Sequence, residues 1–179
     1  MRVYNRARNI CVFSMACLIL LCGSCRRVDD VVYADFATFD REGWDPVCVI
    51  PFFPWPMDSV LSPADRFDLI LTLRYSPADA SSVIPLEITE EDENGEIETR
   101  QVSVRLRDKD GKPLGHKSVY LYEVSDTLRR NFALTDGYIV GITSLSPLEN
   151  TRGLRNIGLS LSLHGNRRPS LFPPLFSKQ

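Results

Sequence analysis

Apolar and polar residues alternate with a period of two over most of this chain, the pattern of half-buried strands rather than helices. The clearest stretch, Phe67 to Tyr75, places Phe67, Leu69, Leu71, Leu73 and Tyr75 on one face. Val47 to Phe53 is rich in β-formers until Pro54 and Pro56 break it. Val83 to Thr89 contains Pro85, which predicts an edge strand or a late start because proline has no N–H to donate to a ladder. Glu96 to Leu106 carries the alternating trio Val102, Val104 and Leu106. Asn94-Gly95 between these two runs predicts a hairpin turn, since both residues tolerate positive φ. Ser118 to Val124, then Tyr138, Val140 and Ile142, then Ile157, Leu159, Leu161 and Leu163 continue the series, with Asp110-Gly111 and Asp136-Gly137 as turns. Thr127 to Leu134 offers one helical turn at most, and no internal repeat is visible. Short strands separated by polar turns predict an all-β fold, an antiparallel β-sandwich or jelly-roll-like domain.

The beginning of the chain departs from this pattern. Residues 1–9 carry Arg2, Arg6 and Arg8 and no acid, and Ile10 to Cys22 is nearly unbroken apolar sequence. That run falls short of the ~20 residues a membrane-spanning helix needs and fits the h-region of a secretory signal peptide. It ends at Gly23-Ser24-Cys25, which resembles a bacterial lipobox, although Cys22 stands where that motif prefers an aliphatic residue. An ordinary signal peptide that leaves Cys25 as a thiol is the alternative. Acylation at Cys25 predicts a stable membrane anchor, because two or more buried chains hold where a single one binds marginally. Arg26-Arg27 would then lie among the headgroups. The expected organisation is a cleaved lipoprotein signal peptide (1–24), a lipidated tether (25–33), a β-sandwich domain (34–165) and a flexible tail containing proline and phenylalanine (166–179).

Composition narrows the chemistry. The chain has 179 residues, 44% hydrophobic and 25% charged, with a net charge of −2. This is enough for one buried core, and the charge argues against a nucleic-acid binder. Two histidines, His116 and His164, are too few for a histidine-rich metal site. Four of the 5 cysteines, Cys11, Cys17, Cys22 and Cys25, fall at the N-terminus. Cys48, between Val47 and Val49, reads as a buried structural thiol; a nucleophile or an intermolecular disulfide are the alternatives. No nucleophile elbow, zinc-protease helix or phosphate loop is present, and nothing in the sequence supports a Ser/His/Asp triad around His116. Asp108-Lys109-Asp110-Gly111 matches part of a calcium loop, but Lys112 and Pro113 replace its later ligands, which leaves a β-turn. Glu90-Glu91-Asp92-Glu93 reads as a solvated hairpin tip, with a basic partner as the alternative.

The aromatic run Pro51-Phe52-Phe53-Pro54-Trp55-Pro56 together with Trp44 suggests core or interface packing, or a platform for stacking sugars. No pair of catalytic carboxylates accompanies it. In the tail, Leu171-Phe172-Pro173-Pro174-Leu175-Phe176 reads as a mobile end or as a docking segment. Trp44, Phe52, Phe53, Trp55, Phe172 and Phe176 are therefore the candidate interaction residues. The expectation is a non-enzyme without cofactor, metal or small-molecule substrate.

Several segments, in this order, resemble the gliding-motility lipoproteins of the GldH type from Bacteroidetes-like bacteria. They are Gly23-Ser24-Cys25, Glu42-Gly43-Trp44, the strand from Phe67 to Arg74 with its Leu-Arg-Tyr ending, Leu106 to Gly115, Asp136-Gly137-Tyr138 and Gly153 to Leu159. The resemblance covers about residues 20–164 and leaves out the tail. It implies a lipoprotein of the cell envelope, anchored in the inner or outer membrane and facing the periplasm. Such a protein would work with other envelope proteins in gliding or the linked secretion machinery. Only Cys25 maps onto a functional position of the family, the site of lipid attachment. A surface glycan-binding lipoprotein using exposed aromatics is the alternative.

Overall fold

The computed structural model describes residues 31–56, 62 and 64–165. The expected signal peptide, Cys25 and the tail residues Phe172 and Phe176 lie outside the described residues. The elements in chain order are β1 (Val31–Thr38), β2 (Ile50–Phe52), β3 (Phe67–Tyr75), β4 (Val83–Glu91), β5 (Ile97–Arg105), β6 (His116–Lys117), β7 (Tyr122–Phe132), β8 (Ile139–Ser144), α1 (Leu148–Thr151) and β9 (Leu154–Leu163). They form two sheets, β1-β9-β3-β7-β6 and β2-β8-β4-β5, antiparallel throughout and packed as a sandwich. No helix among the described residues is long and apolar enough to cross a membrane.

The alternation explains the packing. Phe67, Leu69, Leu71, Leu73 and Tyr75 of β3 are all buried, facing Ile84, Leu86 and Ile88 of β4 and Val140 and Ile142 of β8. Ile157, Leu159 and Leu161 of β9 complete the same layer. Each fully buried aliphatic or aromatic side chain contributes about 1.5–3 kcal/mol relative to exposure, so this interior is the main stabilising term. Tyr75 closes one end: its hydroxyl lies 2.5 Å from the Leu106 carbonyl and 2.8 Å from that of Leu114, to which it donates.

Several elements differ from the sequence expectation. The tether was expected to extend to residue 33, but Val31 already pairs with Ser162, because β9 offers β1 a full-length free edge. Val47–Val49 do not join β2, which is paired only at Ile50–Phe52. The stretch from Ser118 to Leu121 is a turn, closed by Ser118 N–H donating to the Leu121 carbonyl at 2.8 Å. Thr127 to Leu134 forms no helical turn: Thr127 to Phe132 lies within β7, held by β3 through two register irregularities.

The strand containing Pro85 is not an edge either. It lies between β8 and β5, and β5 is the edge. Pro85 is accommodated because its missing N–H points to the β8 side just past the last paired residue, Ser144. There the Pro85 carbonyl still accepts from Leu145 N–H at 3.0 Å.

Candidate functional site

The most unusual chemistry lies where the alternation of β4 reaches the end of the sandwich. Ile84, Leu86 and Ile88 point inward, and the next inward position is Glu90, only 3% exposed. Its carboxylate accepts from Arg100 of β5, from Arg129 Nη1 of β7 at 2.9 Å and from the Tyr138 hydroxyl. Arg129 crosses from the opposite sheet, so one carboxylate ties both layers together. A buried charge is costly unless paired and hydrogen-bonded, and this one is satisfied on both oxygens. Burial, and next the neighbouring Glu90 charge, push the Tyr138 hydroxyl well above the ordinary range for tyrosine. The expectation of a solvated acidic run is thus corrected at Glu90: it faces the interior. Strand parity, extended two residues beyond Ile88, is the signal that marks it.

Beside this cluster is a cavity of about 220 Å³ lined by Glu90, Asp92, Glu96, Ile97, Glu98, Arg129 and Tyr138. The hairpin that shapes it is a three-residue loop with Gly95 at φ 74°, where only Gly95 uses the positive φ expected of both Asn94 and Gly95. The Asp92 carboxylate accepts from the amides of Asn94 at 2.8 Å and Glu96 at 2.9 Å. These bonds, that from Glu96 foremost, hold its acid group below the usual range. Asp108 does the same for Asp110 and Lys112 at 2.9 and 2.8 Å, so the segment with partial calcium-loop character is a turn built on the same plan. Along β5, the hydrogen-bonding alternation leaves the main-chain groups of Ile97, Thr99, Gln101, Ser103 and Arg105 directed to the free edge.

The aromatic candidates divide. Trp44 is 1% exposed, stacked on Phe39 with ring centroids 5.1 Å apart, and its indole N–H donates to the Cys48 carbonyl at 2.9 Å. Its main chain is held by Thr151 Oγ1, which accepts from Trp44 N–H at 2.8 Å. Phe52 is buried as well, pointing inward from β2. Neither belongs to a surface, which corrects the expectation for both: β2 turns Phe52 inward and α1 covers Trp44. Phe53 and Trp55, 60% and 44% exposed, stay on the surface.

Cys48 also differs from expectation: it is exposed rather than buried. Its N–H is spent on a turn to Asp45 and its carbonyl on Trp44, so it never enters the ladder. A second polar cluster joins the buried Asp68 to His164 Nδ1 at 2.9 Å and to the Asn131 amide at 2.9 Å, while His116 is exposed in β6.

Fold and site together define an all-β antiparallel sandwich with one charged, cavity-bearing end. Compared with known proteins, the chain matches no family model, no curated protein and no solved structure.

Proposed function

We propose that this chain is a lipid-anchored protein of the bacterial cell envelope that acts without catalysis, as a binding component among other envelope proteins. The observation that carries the reading is Gly23-Ser24-Cys25 at the end of the apolar leader, with residues 26–30 as the whole connection between that cysteine and β1. Its order of segments, similar to gliding-motility lipoproteins, supports a place in gliding or the linked secretion machinery. The buried ionic groups are committed to structure, Glu90 to holding two sheets together and Asp68 to fixing Asn131 and His164. Among the described residues, the free β5 edge and its acid-lined cavity offer a surface for a partner.

The glycan-binding alternative is weakened by the burial of Trp44 and Phe52, which takes two rings from the platform it needs. Substituting Cys25→Ala tests the main reading. Incorporation of a fatty-acid probe should disappear and the protein should leave the membrane fraction; unchanged retention would overturn the anchor.

A further inference from the structure

β1 and β2 are edge strands of different sheets, and they lie on the same side of the sandwich: the Tyr33 hydroxyl of β1 lies against the main chain of Phe53, directly after β2. Tyr33 pairs with Leu161 and Val31 with Ser162, so this is also the end at which the chain enters the domain. Three large apolar side chains are exposed there, Val31 at 47%, Phe53 at 60% and Trp55 at 44%. Phe53 and Trp55 point outward while Pro54 and Pro56 between and beyond them are buried, so both rings are carried on an anchored main chain. Val49 extends the apolar stripe along the same edge, lying over Gly141.

The distance from Cys25 to Val31 is at most about 20 Å of extended chain, comparable to the headgroup and interfacial depth plus a short clearance. Tryptophan and phenylalanine at such a depth place an apolar body toward the acyl chains, and tryptophan retains a polar N–H for the headgroups. The larger acidic cluster favours the same orientation, while the β1 edge itself carries a single carboxylate, Asp35, beside Tyr33. The acidic hairpin of residues 90–98 is formed by β4 and the far edge strand β5, two and three strand spacings or ~10 and ~14 Å from β2, which is beyond the Debye length at physiological salt. A domain resting on its β1–β2 edge keeps those carboxylates away from anionic headgroups.

We infer that the β1–β2 edge, through Val31, Phe53 and Trp55, lies in the interfacial layer of the bilayer and gives the domain a second, protein-borne membrane contact beside its lipid. This rests on the anchor reading. It makes the domain an oriented body, with the β5 edge directed away from the membrane.

The test uses the full acylated chain in phosphatidylcholine vesicles whose acyl chains are brominated close to the headgroup, with unbrominated vesicles as reference. Flotation reports the anchor and tryptophan emission reports the contact. One of the chain's 2 tryptophans is reachable, so bromination should remove up to about half of the emission. Trp55→Phe should abolish that bromine-dependent loss, since Trp44 is enclosed by the fold. Phe53→Ser should reduce it while leaving flotation intact. Chains that float with undiminished emission would overturn the interfacial contact and leave the anchor standing. Chains that fail to float would overturn the anchor, and the contact with it. Quenching that persists in Trp55→Phe would also refute the assignment.

Discussion

Glu90 shows how much one residue can decide. Replacing it by glutamine keeps its volume but leaves Arg100 and Arg129 facing each other without a counter-charge. Breaking a buried pair is strongly destabilising, and the partial exposure of both arginines reduces the penalty to about 2–3 kcal/mol. Urea unfolding of Glu90→Gln beside the parent chain measures it, and a change within 0.5 kcal/mol, about the scatter of neutral surface substitutions, would contradict the assigned role. Cys48 makes the opposite point. In the folded Cys25→Ala protein freed of its leader, Cys48 should react with a maleimide at a rate close to that in denaturant; protection by orders of magnitude would mean that it is buried after all. Glu90 could be found in the sequence by continuing the alternation from Ile84. Cys48 could not, because Val47-Cys48-Val49 has the composition of a strand and only the turn to Asp45 keeps it out of one.

At the level of elements, close approach of neighbouring segments sets the tolerance to change. A methyl group added at Gly153 would meet the main-chain nitrogen of Ala80 at 2.2 Å, and backbone there has nowhere to go. Gly153→Ala should therefore cost about 2–3 kcal/mol as an overpacked junction between the start of β9 and the loop after β3. Gly158 has an equally close neighbour, the Phe36 ring at 2.2 Å, but this is a half-exposed side chain held by Arg74 4.5 Å above it. Phe36 can swing out and lose that cation–π contact, so Gly158→Ala should cost about 1 kcal/mol or less. Thermal unfolding of the two variants side by side checks the ordering. β3 and β5 were legible in the sequence nearly to the residue, and β9 over its C-terminal part, although it begins at Leu154, three residues before the alternation from Ile157 marks it. β1 was not, because it carries an irregularity after Val31 and directly follows the charged stretch Arg26 to Asp30. β7 was not either, because its register shifts against β3 and so the alternation is broken around Leu128.

Over the whole molecule, buried phenols tie stability to alkaline pH. Burial, reinforced by Asp35, lifts Tyr33 from 10.0 to about 12, and burial lifts Tyr75 from 10.0 to about 12. Tyr138 shifts in the same direction. A raised acid binds its proton more tightly when folded, so this contribution is complete below pH 10.0, the unfolded value, and is lost as the pH climbs through about 12. Urea midpoints should thus fall progressively over that window, with tyrosinate absorbance rising together with unfolding. A flat midpoint from pH 10.0 to 12 would contradict the burial of these hydroxyls. The two ends of the sandwich are also unlike, with Trp44, α1 and Tyr75 closing one and Glu90, the cavity and the incoming chain at the other.

What the sequence determined by itself was local and periodic. Alternation with period two specified strands and their buried faces, glycine and asparagine marked the turns, and the arginine-led apolar run ending at Cys25 set the expectation of an anchor. These depend on neighbours a few residues away. The tertiary structure decided what depends on distant partners. Arg129 reaches Glu90 only because β7 and β4 belong to facing sheets, and Trp44 is enclosed only because α1 arrives beside it more than a hundred residues later. The strand containing Pro85 is interior only because β8 ends where a proline needs no acceptor opposite it. Charge pairing and the covering of residues outside the strands are properties of surfaces brought together by folding, so no local pattern encodes them.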